Sequence, residues 1–159
     1  MIKGRLSVVI PNYNFPFASK TIQDILDKSK GDIEVIVNVE QIWPEPLSDD
    51  VRTHYIHPAR PIGLRKGINN GVALAKGEFI MKADDHTMFG EGFDEILKKD
   101  CESNHVIIPR RFALDAENWK IEERTDNKYP IDYMYLDFPR KGKDHDDGMH
   151  GVPWKRDRI

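Results

Sequence analysis

Cysteine is almost missing from this chain: Cys101 is the single one in 159 residues. A lone thiol cannot close an internal disulfide, which excludes a disulfide-stapled scaffold and fits a reducing compartment. Inert burial is its expected state, and no role is assigned to it. Long hydrophobic runs are missing too. No stretch approaches the roughly 20 apolar residues of a membrane span, and the start Met1-Ile2-Lys3-Gly4-Arg5 lacks the apolar region of a signal peptide. Nor is positive charge in excess. A net charge of −3 supplies no general basic field for nucleic acid or an acidic membrane surface. These absences leave a soluble, cytoplasmic protein with no nucleic-acid partner and no transmembrane segment. The length suits one domain with a proper core.

What is present is an alternation of apolar strands and amphipathic helices. Leu6 to Ile10 is a near-continuous apolar run closed by Pro11 and Asn12, the pattern of a strand buried on both faces. Ala18, Ile22, Ile25 and Leu26 recur at helical spacing, and Gly31 ends that helix. Ile33 to Val39 is a second, β-branched strand, expected to run parallel to the first through a right-handed crossover. Val51 to His57 alternates as a third strand would. Leu64, Ile68, Val72 and Ala75 form an apolar stripe on a central helix, which Lys76 and Gly77 stop. Glu78 to Ala83 is the next strand. Phe93, Ile96 and Leu97 predict a helix from about Glu91 to Glu102, and Val106 to Pro109 predicts a short buried strand. From Arg110 to Pro130 the periodicity fails, and Ile131 to Phe138 reads as a last strand. The fold class is α/β, with a mostly parallel sheet flanked by helices.

The candidate chemistry lies at the carboxyl end of the strand from Glu78 to Ala83, the rim where open α/β sheets bind ligands. Asp84 and His86, separated by one residue, can reach a single cation when the chain bends off the strand. Carboxylate oxygens suit Mg²⁺ or Mn²⁺, and the imidazole shifts the choice toward Mn²⁺. Such an ion could clamp and neutralise a diphosphate. A solvated turn is the competing reading of the same residues. Arg60, Arg65 and Lys66 bracket the start of the central helix, whose unpaired N–H groups favour a phosphate-bearing ligand. Surface solvation competes there and is preferred for Arg60. His54 and His57 read as polar strand and turn residues, and Asn69 as structural.

The order and spacing of Gly63-Leu64-Arg65-Lys66-Gly67-Ile68-Asn69-Asn70-Gly71 and Ala75-Lys76-Gly77-Glu78-Phe79-Ile80 resemble a segment of the family 2 glycosyltransferases, written G-x-x-x-A-x-N-x-G followed by A-x-G-E-Y-I. The family's first strand ends in Pro-x-Tyr-Asn, and Pro11-Asn12-Tyr13-Asn14 matches. The resemblance implies the glycosyltransferase A fold and transfer of a hexosyl or N-acetylhexosaminyl group from a nucleoside-diphosphate sugar, UDP-sugar favoured, to a saccharide, lipid or protein acceptor. It places the family's Asp-x-Asp metal motif at Asp84 and His86, with Mn²⁺ or Mg²⁺ as cofactor and Asp85 in the middle position, which normally points away from the ion. The second position departs from Asp, as it does in the related polypeptide N-acetylgalactosaminyltransferases. Pro11, Asn12 and Tyr13 then lie against the base and ribose. Glu40 is the best substitute for the acids that usually follow the second strand, although a charged loop start explains it as well.

Further along, the resemblance implies a third metal ligand from a late segment. His150, between Gly148 and Gly151, resembles it, with His145 the weaker rival and a solvated loop the alternative for both. Trp119 and Tyr129 could stack on an acceptor sugar or fill core gaps. The Gly-Gly and acidic pair of the acceptor half find no match, and Asp146 and Asp147 are out of order for it, so no catalytic base is assigned. The expectation is a single domain over residues 1–159, shortened in its acceptor-binding part. Two other classes stay open, a non-catalytic nucleotide-sugar-binding module and a sugar nucleotidyltransferase. The latter normally has a glycine-rich, arginine-containing loop where Pro11-Asn12-Tyr13-Asn14 stands.

Overall fold

The computed structural model describes residues 1–123, residues 130 and 131, and the strands 133–136 and 151–154. The chain divides into two compact units, Met1–Asp100 and Cys101–Ile159.

In the first unit the strands β1 (Ile2–Asn12), β2 (Ile33–Val39), β3 (Thr53–Ile56) and β4 (Gly77–Lys82) form one sheet in the order β3-β2-β1-β4. All three pairings are parallel. Val8 of β1 faces Val35 of β2 on one side and Met81 of β4 on the other. Strand side chains alternate between faces, so Leu6, Val8, Ile10, Ile33, Val35, Val37 and Val39 join one core. The helix α1 (Ala18–Lys28) brings Ile22, Ile25 and Leu26 to that core, and α3 (Phe93–Lys99) brings Phe93. Ile22 and Ile25 are fully buried, each stabilising by about 1.5–3 kcal/mol relative to exposure.

The other face carries Ser7, Val9, Glu34, Ile36 and Asn38, and α2 (Leu64–Leu74) covers it. Here the structure departs from the expected stripe. The buried residues of α2 are Gly67 and Gly71, whereas Leu64 is 59% and Val72 39% exposed. The glycines let the helix backbone settle onto the sheet. A Cβ on Gly71 would overlap Val9 Cγ1, and one on Gly67 would lie 2.8 Å from Asn38 Nδ2. Close backbone approach, rather than the apolar stripe, sets the rotation of the helix.

Glu34, an acid inside an otherwise apolar strand, is buried and ties three elements together. Its Oε1 accepts from Ser7 Oγ at 2.6 Å and from the Lys76 N–H at 2.6 Å, while Ser7 Oγ accepts from the Gly77 N–H at 2.8 Å. The bend between α2 and β4 is thereby pinned to the centre of the sheet. Burial alone would raise the Glu34 pKa. Hydrogen bonds from Ser7 and the Lys76 N–H, with the charges of Arg5 and His54, outweigh it and hold the carboxyl below its usual range.

Other boundaries shift modestly. α3 begins at Phe93 behind Gly92, whose φ of 65° is left-handed, and ends at Lys99, inside the expected span. β3 covers only the middle of the expected third strand. In the second unit β5 (Leu114–Asp115) pairs antiparallel with β6 (Lys120–Ile121), and β7 (Tyr133–Leu136) with β8 (Gly151–Trp154). The buried strand expected at Val106 to Pro109 is absent. No strand forms there, and Val106 is 87% and Ile108 58% exposed. A short apolar run becomes a strand only where a neighbour pairs with it, and none of the described residues does.

Two outcomes follow from this packing. Helix propensity alone would favour Gly71→Ala by about 1 kcal/mol, yet overlap with Val9 should make the variant less stable by about 1–3 kcal/mol. A lowered urea midpoint shows the contact, and a raised one refutes it. For Glu34 a folded pKa below the ordinary 4.5 means that its contribution is complete above that value and fades as pH falls through the folded pKa. The urea midpoint should therefore drop more steeply with acidification in the wild type than in Glu34→Gln, and parallel curves would exclude this role.

Candidate functional site

The carboxyl ends of β1 and β2 and the first residue of α2 meet at one rim of the first unit. Pro11, Asn12, Tyr13, Glu40 and Leu64 line a cavity of about 160 Å³ there. The four residues expected against the nucleoside are thus neighbours, although they come from two separate strands. Their side chains have different duties. The Asn12 amide is buried, donating to the Ile42 carbonyl and accepting from the Phe15 N–H, both at 3.4 Å. Tyr13 is half-exposed, and its hydroxyl accepts from Gln41 Nε2 at 2.9 Å. Glu40 is nearly buried, and its Oε2 accepts from the Ile62 and Gly63 N–H groups, each at 3.2 Å. It braces the turn that starts α2. Arg65 and Lys66 are exposed in the first turn of that helix.

The second part of the rim lies past β4. The Ala83 N–H still donates to the Val9 carbonyl at 3.0 Å, after which the chain turns. Asp84 is exposed, 58% at its side chain, and pairs with Lys82. Asp85 turns inward and is buried, and its Oδ1 lies 2.9 Å from His86 Nδ1. Burial pushes the Asp85 carboxyl above its ordinary range, against the lowering effect of the His86 hydrogen bond. The His86 ring is half-exposed and packs 4.7 Å from the Phe15 ring, tilted by 32°.

Three residues of α1 hold the segment that follows, and sequence reasoning had assigned none of them to the site. Thr21 Oγ1 accepts from the Thr87 N–H at 3.0 Å, Asp24 Oδ2 from the Phe89 N–H at 2.6 Å, and Lys28 Nζ donates to the Phe89 carbonyl at 2.8 Å. Lys28 also pairs with Asp24 at 2.6 Å. The available signal was an acid, Asp24, set between Ile22 and Ile25 of the apolar stripe. A buried acid needs a partner, but only the fold says which.

Among the described residues no three acidic, histidine or cysteine side chains converge as metal ligands. His150 and its rival His145 lie outside the described residues, as do Tyr129, Asp146 and Asp147. Trp119 sits in the turn between β5 and β6 with a φ of 53°. No described helix is long and apolar enough to cross a membrane.

This architecture, a parallel sheet with the candidate residues at its carboxyl rim, agrees with comparison to known proteins. Glycosyl transferase family 2 matches residues 7–156, and the chain belongs to that family, whose glycosyltransferase A fold the four-stranded parallel sheet and its helices fit. The chain is also similar to the glycosyltransferase GlyG of Streptococcus pneumoniae serotype 4, with 25% identity over an alignment 123 residues long that covers 71% of this chain and 41% of that protein. It therefore spans less than half the length of that relative.

The brace at Glu40 is open to direct measurement. Glu40→Ala leaves the Ile62 and Gly63 N–H groups without their acceptor, which should cost about 1–3 kcal/mol. Hydrogen exchange at those two amides should accelerate well beyond that at β1 amides, and equal protection in both proteins would show that the carboxylate does not hold the turn.

Proposed function

We propose that this chain binds a nucleoside-diphosphate sugar with a divalent cation, Mn²⁺ or Mg²⁺, and takes part in transferring the sugar to an acceptor hydroxyl. A UDP-sugar is the favoured donor, a hexosyl or N-acetylhexosaminyl unit the transferred group, and a saccharide, lipid or protein the acceptor. Membership of the family supports the reaction class. The observation that carries the reading is a cavity at the carboxyl rim lined by Pro11, Asn12, Tyr13 and Glu40, with Asp84 and His86 one residue apart just past the end of β4 in the same sheet.

The chemistry of Asp84 and His86 supports the reading. Asp84 offers an exposed carboxylate, and His86 has one ring nitrogen engaged by Asp85 and the other left over. Asp84 and His86 would hold the cation, with His150 as the proposed third ligand. When bound, such an ion supplies positive charge to the diphosphate as it leaves. The chain's own residues do the positioning. Tyr13 presents an exposed ring edge for the base and Glu40 keeps the start of α2 in place. Arg65 and Lys66 add positive charge beside the N–H groups of that helix, where phosphate oxygens are favoured. Lys82 balances Asp84 and would compete with a cation for it.

Calorimetric titration of the 159-residue chain with UDP and UDP-sugars tests the reading. Affinity should rise tenfold or more when Mn²⁺ is added, a gain of about 1.4 kcal/mol or more, and Asp84→Ala or His86→Ala should abolish that gain. No binding under either condition, or binding indifferent to Asp84→Ala, removes the proposal. Binding without transfer or donor hydrolysis would instead mark a nucleotide-sugar-binding module.

A further inference from the structure

The acid between the two candidate ligands has a place of its own. We infer that Asp85 is a positioning residue that holds His86 in its Nδ1–H form and turns Nε2 outward as a nitrogen ligand, biasing the site toward Mn²⁺ over Mg²⁺. This rests on the reading that Asp84 and His86 share a divalent cation.

A neutral imidazole carries one proton on two nitrogens, and the hydrogen bond made by one nitrogen decides which of them is free to bind a metal. An ionised Asp85 carboxylate can only accept, so it selects the imidazole form in which Nδ1, 2.9 Å away, carries the proton. Asp85 is 8% exposed and cannot swing out to join the ligands without giving up its burial. Phe15, 4.7 Å from the imidazole, limits the ring from a second direction. Behind the turn, Thr21 and Asp24 of α1 fix the Thr87 and Phe89 N–H groups, so the backbone that carries the pair is held as well. Three consecutive residues thus divide the work: Asp84 faces solvent beside Lys82, Asp85 faces inward, and His86 bonds to Asp85. A histidine left in water favours the opposite tautomer, with the proton on Nε2, which must be moved before that atom can bind an ion. Carboxylates that accept from the far nitrogen of a ligating histidine remove that cost and raise its basicity. A nitrogen ligand favours first-row ions, whereas Mg²⁺ prefers oxygen.

Chain labelled with ¹⁵N-histidine reports the tautomer through two-bond ¹H–¹⁵N correlations, with His86 assigned by its loss in His86→Ala. Free Mn²⁺, followed by electron paramagnetic resonance, reports affinity independently of turnover. The wild type without metal should show Nδ1–H at His86. Asp85→Ala should move the ring toward Nε2–H and weaken Mn²⁺ binding by about 10–100-fold, with little change for Mg²⁺ in competition. Asp85→Asn keeps the shape, but its amide N–H₂ can donate to Nδ1 and favour Nε2–H, so it should shift the tautomer and weaken Mn²⁺ binding as Asp85→Ala does. An Nε2–H ring in the wild type, or an Asp85→Ala variant with unchanged tautomer and unchanged Mn²⁺ affinity, overturns the role of Asp85. A wild type that shows Nδ1–H yet binds no Mn²⁺ overturns the underlying metal reading instead. Amide spectra of each variant identify any that fail to fold, and the wild-type tautomer decides the question even then.

Discussion

The central strand β1 is bonded on both edges and covered on both faces, and the described candidate residues at the ends of β1, β2 and β4 are placed relative to it. Its pairing with β2 brings Glu40 level with the turn that begins at Pro11, and the Glu40 N–H donates to the Asn12 carbonyl at 2.9 Å. Its pairing with β4 runs one residue past the strand to Ala83, so the next residue, Asp84, leaves the sheet at the same rim. A slip of one residue in either pairing would exchange the faces of the slipped strand. Buried valines and isoleucines on β1 and β2 make that slip costly, because they would trade places with Ser7, Glu34 and Asn38.

Buried acids join the apolar layers at their ends. Glu34, Glu40, Asp24 and Asp94 each accept backbone N–H groups from a distant segment: Lys76, the Ile62–Gly63 turn, Phe89, and the Lys30–Gly31 turn respectively. A carboxylate taken from water without such donors would be strongly destabilising. With them it becomes a directional tie that apolar packing cannot supply, since dispersion and burial do not specify orientation. These ties sit where a helix hands over to a strand or a strand to a turn, and two of them, Glu40 and Asp24, border the candidate site. Rigidity at the rim thus comes from carboxylate oxygens that accept backbone N–H groups.

The central helix shows why some of this was hidden in the chain. Leu64, Ile68 and Val72 recur as a buried stripe would, but the structure buries Gly67 and Gly71. Periodicity ranks faces by hydrophobicity and is blind to the gain from bringing two backbones close, which favours the smallest residue. Val106 to Pro109 failed for a related reason: apolar content suggests burial, but a strand needs a partner. By contrast, β2 was legible because seven consecutive buried residues leave a mostly β-branched run that no amphipathic helix would show. The place of Asp84 and His86 just past a strand was legible because position along one chain is a local property.

The amino-acid order alone settled the alternation of strand and helix, the α/β class and the place of Asp84 and His86 just past a strand, because periodicity and run length are local properties of the chain. Tertiary structure alone decided which face of α2 is buried, that Thr21, Asp24 and Lys28 hold the segment after His86, and that Asp85 turns inward against the imidazole. Those outcomes depend on hydrogen bonds and contacts between segments some 60 residues apart, and on the direction in which the turn after β4 bends. No pattern along the chain encodes that direction until the sheet and α1 are assembled around it.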